Sequence, residues 1–299
     1  IVVIAILAAI TIVAYTGIQD RAKASAVSSA ASQAGKQTLA YAPTNNDLYP
    51  TETQFQTSSF RTTTLKLPTD TPQATYDYYA SDDQKAFCLS VTDTTTSPET
   101  AYAMTQNGTT VPGRCVENLV RNPSFEVDTA TWGYNSAYTT VSRFATTTPG
   151  GSYAYRIAKT ASGDTYAHHT TTSTVPGGAP YTISFWIWSG APYSLSGGLL
   201  FRVYNSGSCC TNIDSIGSFT TQTSPERISL SGLTSANPTT GAQMILRATG
   251  TVGQYVYYDG FMITAGSTEY SYGDGATENW AWTGAAHNSP SFGPAIPVN

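Results

Sequence analysis

The sequence predicts an α+β chain, with one long N-terminal helix packed on a small antiparallel sheet and an all-β sandwich after it. Three observations carry this reading. Residues 1–42 contain no proline, end at Pro43, and place small and apolar residues at spacings of three and four. From Thr75 onward, short stretches alternate apolar and polar residues between Gly, Pro, Asn and Asp clusters. Only 11% of residues are charged, while Thr, Ser, Gly and Tyr abound, which is an extracellular β-rich palette. At 299 residues the chain has room for two globular units beyond the helix.

The helix opens on an apolar run from Ile1 to Tyr15 that only Thr11 interrupts. Its aliphatic residues, Ile1, Val2, Val3, Ile4, Ile6, Leu7, Ile10, Ile12 and Val13, cannot be left bare in water. At ~1.5 Å per residue the run is ~22 Å long, short of a ~30 Å bilayer core. A signal-peptide core would be followed by a small-residue cleavage site. The pattern instead continues through Asp20, Arg21 and Lys23, so a retained helix is expected. Its second half carries a narrow stripe of Ala24, Val27, Ala31, Ala34, Thr38 and Tyr41, suited to lying close against a sheet. The whole helix would be ~63 Å long, with Gly17, worth ~1 kcal/mol against helix, as its weakest point.

After Pro43 a turn-forming segment reaches Pro50, and residues 51–71 are polar apart from Phe55, Phe60, Leu65 and Leu67. Thr75–Ser81 and Lys85–Val91 read as a hairpin around Asp82-Asp83-Gln84, and Ala101–Thr105 as a third strand ending near an Asn107-Gly108 turn. Thr92–Thr100 is an exposed loop. Asn107-Gly108-Thr109 is a glycosylation sequon and equally an ordinary turn. Four cysteines, Cys88, Cys115, Cys209 and Cys210, fit an oxidising compartment better than a metal site, because no Cys-x-x-Cys occurs. Adjacent Cys209 and Cys210 form a strained ring, stay free, or bridge elsewhere.

The run Val2–Tyr15 followed by a charged amphipathic helix resembles the N-terminal helix of type IV pilins, over roughly residues 1–115. The resemblance implies a pilin domain at 1–117, with the helix at 1–42 and the head at 43–117. It implies a helical homopolymer with the apolar run at its centre, and a membrane location through the same helix before assembly. It also implies an extracellular pilus filament that serves surface attachment and twitching motility. The family's opening methylated Phe and nearby Glu would precede Ile1, and Val13 replaces its helix-breaking Pro. A Cys88–Cys115 disulfide would match the bridge near the end of many pilin heads; two buried free thiols are the alternative. A plain membrane anchor at residues 1–15 is another reading. A minor pilin or tip adhesin is the runner-up function, and a secretion-system pseudopilin a weaker one.

A composition change at Pro112–Glu117 marks a boundary. Asn118-Leu119-Val120-Arg121-Asn122-Pro123-Ser124-Phe125-Glu126, Thr131-Trp132-Gly133 and a late Tyr257-Tyr258-Asp259-Gly260-Phe261 resemble the jelly-roll, galactose-binding-like family of carbohydrate-binding modules, over residues 118–264. Strands are expected at 154–158, 181–188, 199–204, 227–230, 243–247 and 255–263. The resemblance implies a structural calcium held by Glu126 and Asp259; two carboxylates would need backbone carbonyls as well. Residues 265–299 are read as a separate C-terminal extension. Its Tyr270–Ser289 segment is similar to one that ends such modules in phage tail proteins, and 290–299 reads as an extended arm.

The chain offers little for catalysis. Its three histidines are the adjacent His168 and His169, which a strand would point to opposite faces and which read as surface residues, and His287 in the tail. No Gly-x-Ser-x-Gly, His-Glu-x-x-His or phosphate-cradling loop occurs, so no enzyme is expected, nor any cofactor beyond that calcium. With 14 Lys and Arg against 19 Asp and Glu and no basic run, there is no nucleic-acid footprint. A glycan surface is the better candidate. Period two on Tyr181–Trp188 turns Ile183, Phe185 and Ile187 inward and Trp186 and Trp188 outward. The same parity on Leu199–Tyr204 turns Arg202 and Tyr204 outward. Trp186, Trp188, Arg202 and Tyr204 are therefore expected to share one surface on which sugar rings stack and hydroxyls bond to guanidinium. Alternatively, the two indoles are covered by the head or by the tail with Trp280 and Trp282.

Overall fold

The computed structural model describes residues 2–169, 171, 175–195, 199–205, 208–216, 219–234, 239–246 and 251–298; for 2–14, 193, 195, 199–201, 203–205, 208–216, 219 and 239–246 the description is of the backbone. Ile1 therefore lies outside the described residues, as do the side chains of Val2 to Val13 and those of Tyr204, Cys209 and Cys210. The chain divides into two units. Residues 1–115 with 293–296 form the first, and 116–292 with 297–299 the second. The expected third segment at 265–299 is not a unit of its own: it is divided between these two, with 265–292 in the second.

In the first unit helix α1 (Val2–Tyr41) runs unbroken through Gly17 and gives way at Pro43. Proline lacks the N–H that would continue the ladder and disfavours helix in the residue before it. Strands β1 (Thr75–Ala80), β2 (Phe87–Asp93), β3 (Thr100–Thr105) and β4 (Thr110–Pro112) form one antiparallel sheet in chain order. The expected hairpin is present, with Tyr79 opposite Cys88 and Ala80 opposite Phe87. Gly108 takes the left-handed conformation that the β3–β4 turn requires (φ 74°). The small-residue stripe is the packing face: Val27, Ala31, Ala34 and Thr38 are buried. Met104 lies so close over Gly35 that a Cβ there would collide with it. Thr38 satisfies its hydroxyl within the helix by donating to Ala34 O at 3.1 Å. Phe55, Leu65 and Leu67, from the polar segment after Pro50, fold back to complete this core with Phe87, Leu89 and Val91. Phe55 lies on helix α2 (Glu52–Gln56), whose N-terminus is a reciprocal capping box between Thr51 and Gln54.

Strand β5 (Arg114–Asn118) leads into the second unit. The strands that follow are β6 (Trp132–Tyr134), β7 (Thr139–Thr148), β8 (Gly151–Lys159), β9 (Thr165–His169) and β10 (Pro180–Trp188). Next come β11 (Tyr193–Leu195), β12 (Leu199–Asn205), β13 (Ser208–Ile216), β14 (Phe219–Thr221), β15 (Glu226–Thr234), β16 (Thr239–Leu246) and β17 (Tyr255–Ala265), with β18 (Ala281–Trp282) and β19 (Ser291–Ala295) near the end. Two five-stranded antiparallel sheets result, ordered β15-β10-β17-β8-β7 and β13-β12-β16-β9-β6. The chain passes repeatedly from one to the other (β8 to β9 to β10 to β12; β13 to β15 to β16 to β17), which is the wrapping of a jelly roll. One core joins the inner faces. It contains Tyr155, Ile157, Ile183, Phe185, Ile187, Val256, Tyr258 and Phe261 from the first sheet and Trp132 and Ala167 from the second.

The opening motif of this unit has a structural explanation. Asn118 is fully buried, donates to Phe261 O (2.9 Å) and Gly273 O (3.2 Å), and accepts from the N–H groups of Val120 and Ile263. Phe125 adopts a left-handed backbone (φ 56°) and stacks on Tyr155 at 4.8 Å. The residues after 264 are tied to the same region, since Ser124 donates to Asp274 at 2.8 Å. That is why they do not separate.

Cys88 and Cys115 are disulfide-bonded, 27 residues apart. On the chain-entropy model, closing a loop of about 28 residues stabilises by about 3–4 kcal/mol. The double variant Cys88→Ser, Cys115→Ser is expected to melt well below the wild type under oxidising conditions. An unchanged melting temperature would show that the bridge adds nothing.

Candidate functional site

The outward face of the sheet β15-β10-β17-β8-β7 carries the predicted indoles. Period two on β10 holds, since Ile183, Phe185 and Ile187 line the core while Trp186 and Trp188 belong to the other face. The two rings differ in surroundings. Trp188 is only 5% exposed and stacks on Tyr257 at 5.4 Å, so it underlies the surface rather than forming it. Trp186 is half-buried: the Arg227 guanidinium lies 5.1 Å from its centroid, Tyr272 meets it edge-on at 5.6 Å, and Gly260 lies against it. The residue beyond 264 that meets Trp186 is thus Tyr272, not the Trp280 or Trp282 of the alternative reading.

Arg202 and Tyr204 do not join them. Strand β12 lies in the opposite sheet, in register with β16, so that Arg202 faces Gln243 and Gln243 faces His168. The expected shared surface is corrected on this point. Alternation fixes which face of a strand a residue takes but not which sheet the strand joins, and the chain changes layers between Trp188 and Leu199. Arg202 is half-buried, and the side chain of Tyr204 is outside the described residues.

What the fold places beside the indoles is a set of residues that alternation alone did not single out. Phe144 of β7, 40% exposed, packs on Tyr257 at 5.0 Å, and Tyr255 meets Tyr257 at 5.3 Å. The Arg156 guanidinium of β8 lies 4.2 Å from the Tyr255 centroid. Phe144 and the half-buried Tyr255 and Arg156 therefore share the outer face of this sheet, with Tyr257, 8% exposed, and Trp188 packed beneath them. The signal was in the sequence as the alternating Tyr255-Val256-Tyr257, but its neighbours on β7 and β8 depend on strand order.

His168 and His169 do take opposite faces of β9, yet reading both as surface residues is corrected. His169 is buried against Trp132 (5.0 Å) and its Nε2 accepts the Arg121 N–H at 3.0 Å; burial pushes its pKa down to about 3. It is a neutral acceptor that satisfies a backbone donor. His168 is half-buried with its ring over Gly133, and His287 packs on Trp282 at 4.7 Å.

Glu126 and Asp259, far apart in sequence, meet at Gly150-Gly151. Asp259 is completely buried and its Oδ2 accepts the Gly150 N–H at 2.8 Å. Glu126 Oε1 accepts the N–H groups of Ser152 and Tyr153, both at 2.9 Å. A Cβ on Gly150 would strike the Asp259 carboxylate, and one on Gly151 the Glu126 carboxylate. Burial, with the nearby Glu126 charge adding to it, pushes Asp259 up to about 7 despite the opposing effect of the Thr148 hydroxyl and of the Gly150 and Gly260 backbone. Asp259 Oδ1 and Thr148 Oγ1 are both buried, with Thr148 near enough to lower the Asp259 pKa and no other partner for either atom among the described residues. These under-satisfied oxygens and the excess negative charge fit a hard cation, with Glu126, Asp259 and Thr148 as the side chains to hold it. Among the described residues no cluster of three or more His, Cys, Asp or Glu exists, so further ligands would have to be backbone oxygens.

No family model matches the sequence, and no curated protein matches it. Among solved structures the chain is similar to the CBM22-1–GH10 modules of Clostridium thermocellum endo-1,4-β-D-xylanase 10B complexed with xylohexaose, at 15% identity and TM-score 0.39 over 52% of this chain and 30% of that one. It is similar to the CBM22-1 xylan-binding domain of Paenibacillus barcinonensis Xyn10C, at 14% identity and TM-score 0.40 over 52% of this chain and 97% of that one. It is also similar to TmCBM61 in complex with β-1,4-galactotriose, at 14% identity and TM-score 0.34 over 49% of this chain and 97% of that one. The match thus spans under a third of the xylanase fragment and nearly all of the two smaller domains.

Proposed function

We propose that this chain is an extracellular filament subunit whose second unit contacts glycans. The observation that carries the glycan part is the outer face on which Phe144 and Tyr255 lie over the buried Tyr257, with Arg156 beside them. Sugars present C–H faces that stack on aromatic rings and hydroxyls that a guanidinium can bind, and recognition of this kind needs no metal or proton transfer. On a glycan array that includes xylohexaose and β-1,4-galactotriose, the full chain is expected to retain at least one ligand. Phe144→Ala and Arg156→Ala are each expected to weaken that binding at least tenfold with unchanged melting. Binding that survives both substitutions, or no binding to any glycan, would remove this face from the account.

Calcium at Glu126 and Asp259 is the second part of the proposal. Bound there, it would supply the positive charge that keeps both carboxylates ionised. The pH dependence follows from Asp259, whose folded pKa is raised. Below the ordinary carboxylate range it is protonated in both the folded and unfolded states. Between there and about 7 the folded chain holds a proton that the unfolded chain lacks, so stability falls as pH rises. Metal-free protein is therefore expected to lose melting temperature from pH 4 to about pH 7, with calcium reversing the loss and Asp259→Asn abolishing both effects. Equal melting with calcium and with chelator at pH 7 would count against the site.

The filament part rests on helix α1. Among the described side chains of the helix, residues 15–23 are exposed, with Tyr15 at 61% and Ile18 at 66%, while Val27, Ala31, Ala34 and Thr38 pack on the head, and the helix backbone continues into the apolar run. No helix among the described residues is long and apolar enough to cross a membrane. Bundling with the same run from other copies would bury it, at ~0.025 kcal/mol per Å² of apolar surface. Before assembly the helix would rest in the membrane. Ala8→Asp is expected to abolish fibres in electron micrographs while the circular dichroism of the heads stays native, and normal fibres from that variant would overturn the assembly.

A further inference from the structure

The first unit holds a cavity of about 320 Å³ that the preceding sections leave without a role. Glu52, Phe55, Arg61, Asp70, Tyr76 and Tyr78 line it. Its charges are not balanced. Asp70 is held bidentately by Arg61 at 2.9 and 2.7 Å. Asp77, also on the wall, is held bidentately by Arg114 at 2.8 and 2.9 Å. Glu52 has only the Ala80 N–H as a hydrogen-bond donor, at 3.1 Å, and no Lys or Arg pairs with it among the described residues. One carboxylate therefore faces the cavity uncompensated. Burial, with Asp82 nearby, raises its pKa, as expected for an anion lacking a counter-ion.

The walls fit the missing charge. Phe55 and Tyr78 stack at 4.3 Å with planes 9° apart, and Tyr76 lines the cavity beside Arg61, whose guanidinium already lies 5.7 Å from the Phe55 centroid and 5.8 Å from the Tyr76 centroid. Phe55 and Tyr76 thus already hold a cation, Arg61, near their faces, and of the three rings Tyr76 is the one more open to the cavity, Phe55 and Tyr78 being buried against each other. An anionic ligand would meet three carboxylates, and a purely apolar one would leave Glu52 desolvated and unpaired. At about 320 Å³ the space is at the small end of ligand pockets and suits a body of monosaccharide size.

We infer that this cavity binds a small primary amine, an amino sugar being the fitting class, with its ammonium on Glu52 and its body against the Tyr76 ring. This site is independent of the aromatic face of the sandwich. The test is calorimetric titration of the full chain at pH 7 with D-glucosamine and with N-acetyl-D-glucosamine, which share a ring but differ in charge. Glucosamine is expected to bind and the acetylated sugar to bind at least tenfold more weakly; Glu52→Gln is expected to remove the difference. Equal affinity for the two sugars, no binding of glucosamine, or full glucosamine binding by Glu52→Gln would each overturn the assignment. If Glu52→Gln does not fold, the comparison of the two sugars on the wild-type chain still decides.

Discussion

Strand β17 contains one extra residue, and much of the second unit depends on it. Ser184 of β10 pairs with Met262, but Trp186 pairs with Asp259, so three steps on β17 match two on β10. Gly260 absorbs the insertion with a left-handed backbone (φ 56°), where any Cβ would also collide with the Trp186 ring. A bulge of this kind reverses the alternation downstream. Val256 and Tyr258 face the core before it, and Phe261 and Ile263 face the same core after it. The strand thereby gives large side chains to the interior from both its halves, and it is buried along nearly its whole length. Asp259, next to the core residue Tyr258 and just before the insertion, lies on the other face, where it meets Gly150.

Buried polar groups do the rest of the fixing. Asn118 satisfies two carbonyls and two N–H groups at the edge of the core, His169 satisfies the Arg121 N–H, and Ser124 and Tyr272 both donate to Asp274. An unpaired buried donor or acceptor costs about 1–3 kcal/mol, so each of these contacts restricts the arrangements the chain can adopt. Together they bind the irregular segment from 118 to 126 and the segment after 264 to the sandwich. In the first unit small size plays the matching part: Ala31, Ala34 and Gly35 let the helix approach the sheet until Met104 touches its backbone.

The sites differ in how each is built. The aromatic face rests on sheet order, because Phe144, Arg156, Tyr255 and Trp188 come from four strands. The carboxylate pair rests on glycines that let backbone N–H groups reach Glu126 and Asp259. The cavity in the first unit rests on an imbalance, in which two acids have arginine partners and a third has none. In each case the chemistry follows from which groups the fold leaves without compensation.

The sequence by itself determined the elements whose signals are local. The helix stripe Val27, Ala31, Ala34 and Thr38, the stop at Pro43, the hairpin around Asp82-Asp83-Gln84 and the inward face of β10 all follow from periodicity and turn chemistry. The polar, Thr-rich strand β7 and the strand β13 gave no such signal, since neither alternates cleanly between apolar and polar residues. Only the tertiary structure decided which strands share a sheet. It separated Arg202 from the indoles, placed Arg156 and Phe144 beside them, and brought Glu126 within reach of Asp259. It also buried His169 and placed residues 265–292 in the second unit. The physical reason is that alternation records one strand's two environments, whereas sheet membership and long-range hydrogen bonds depend on pairings between residues tens to more than a hundred positions apart.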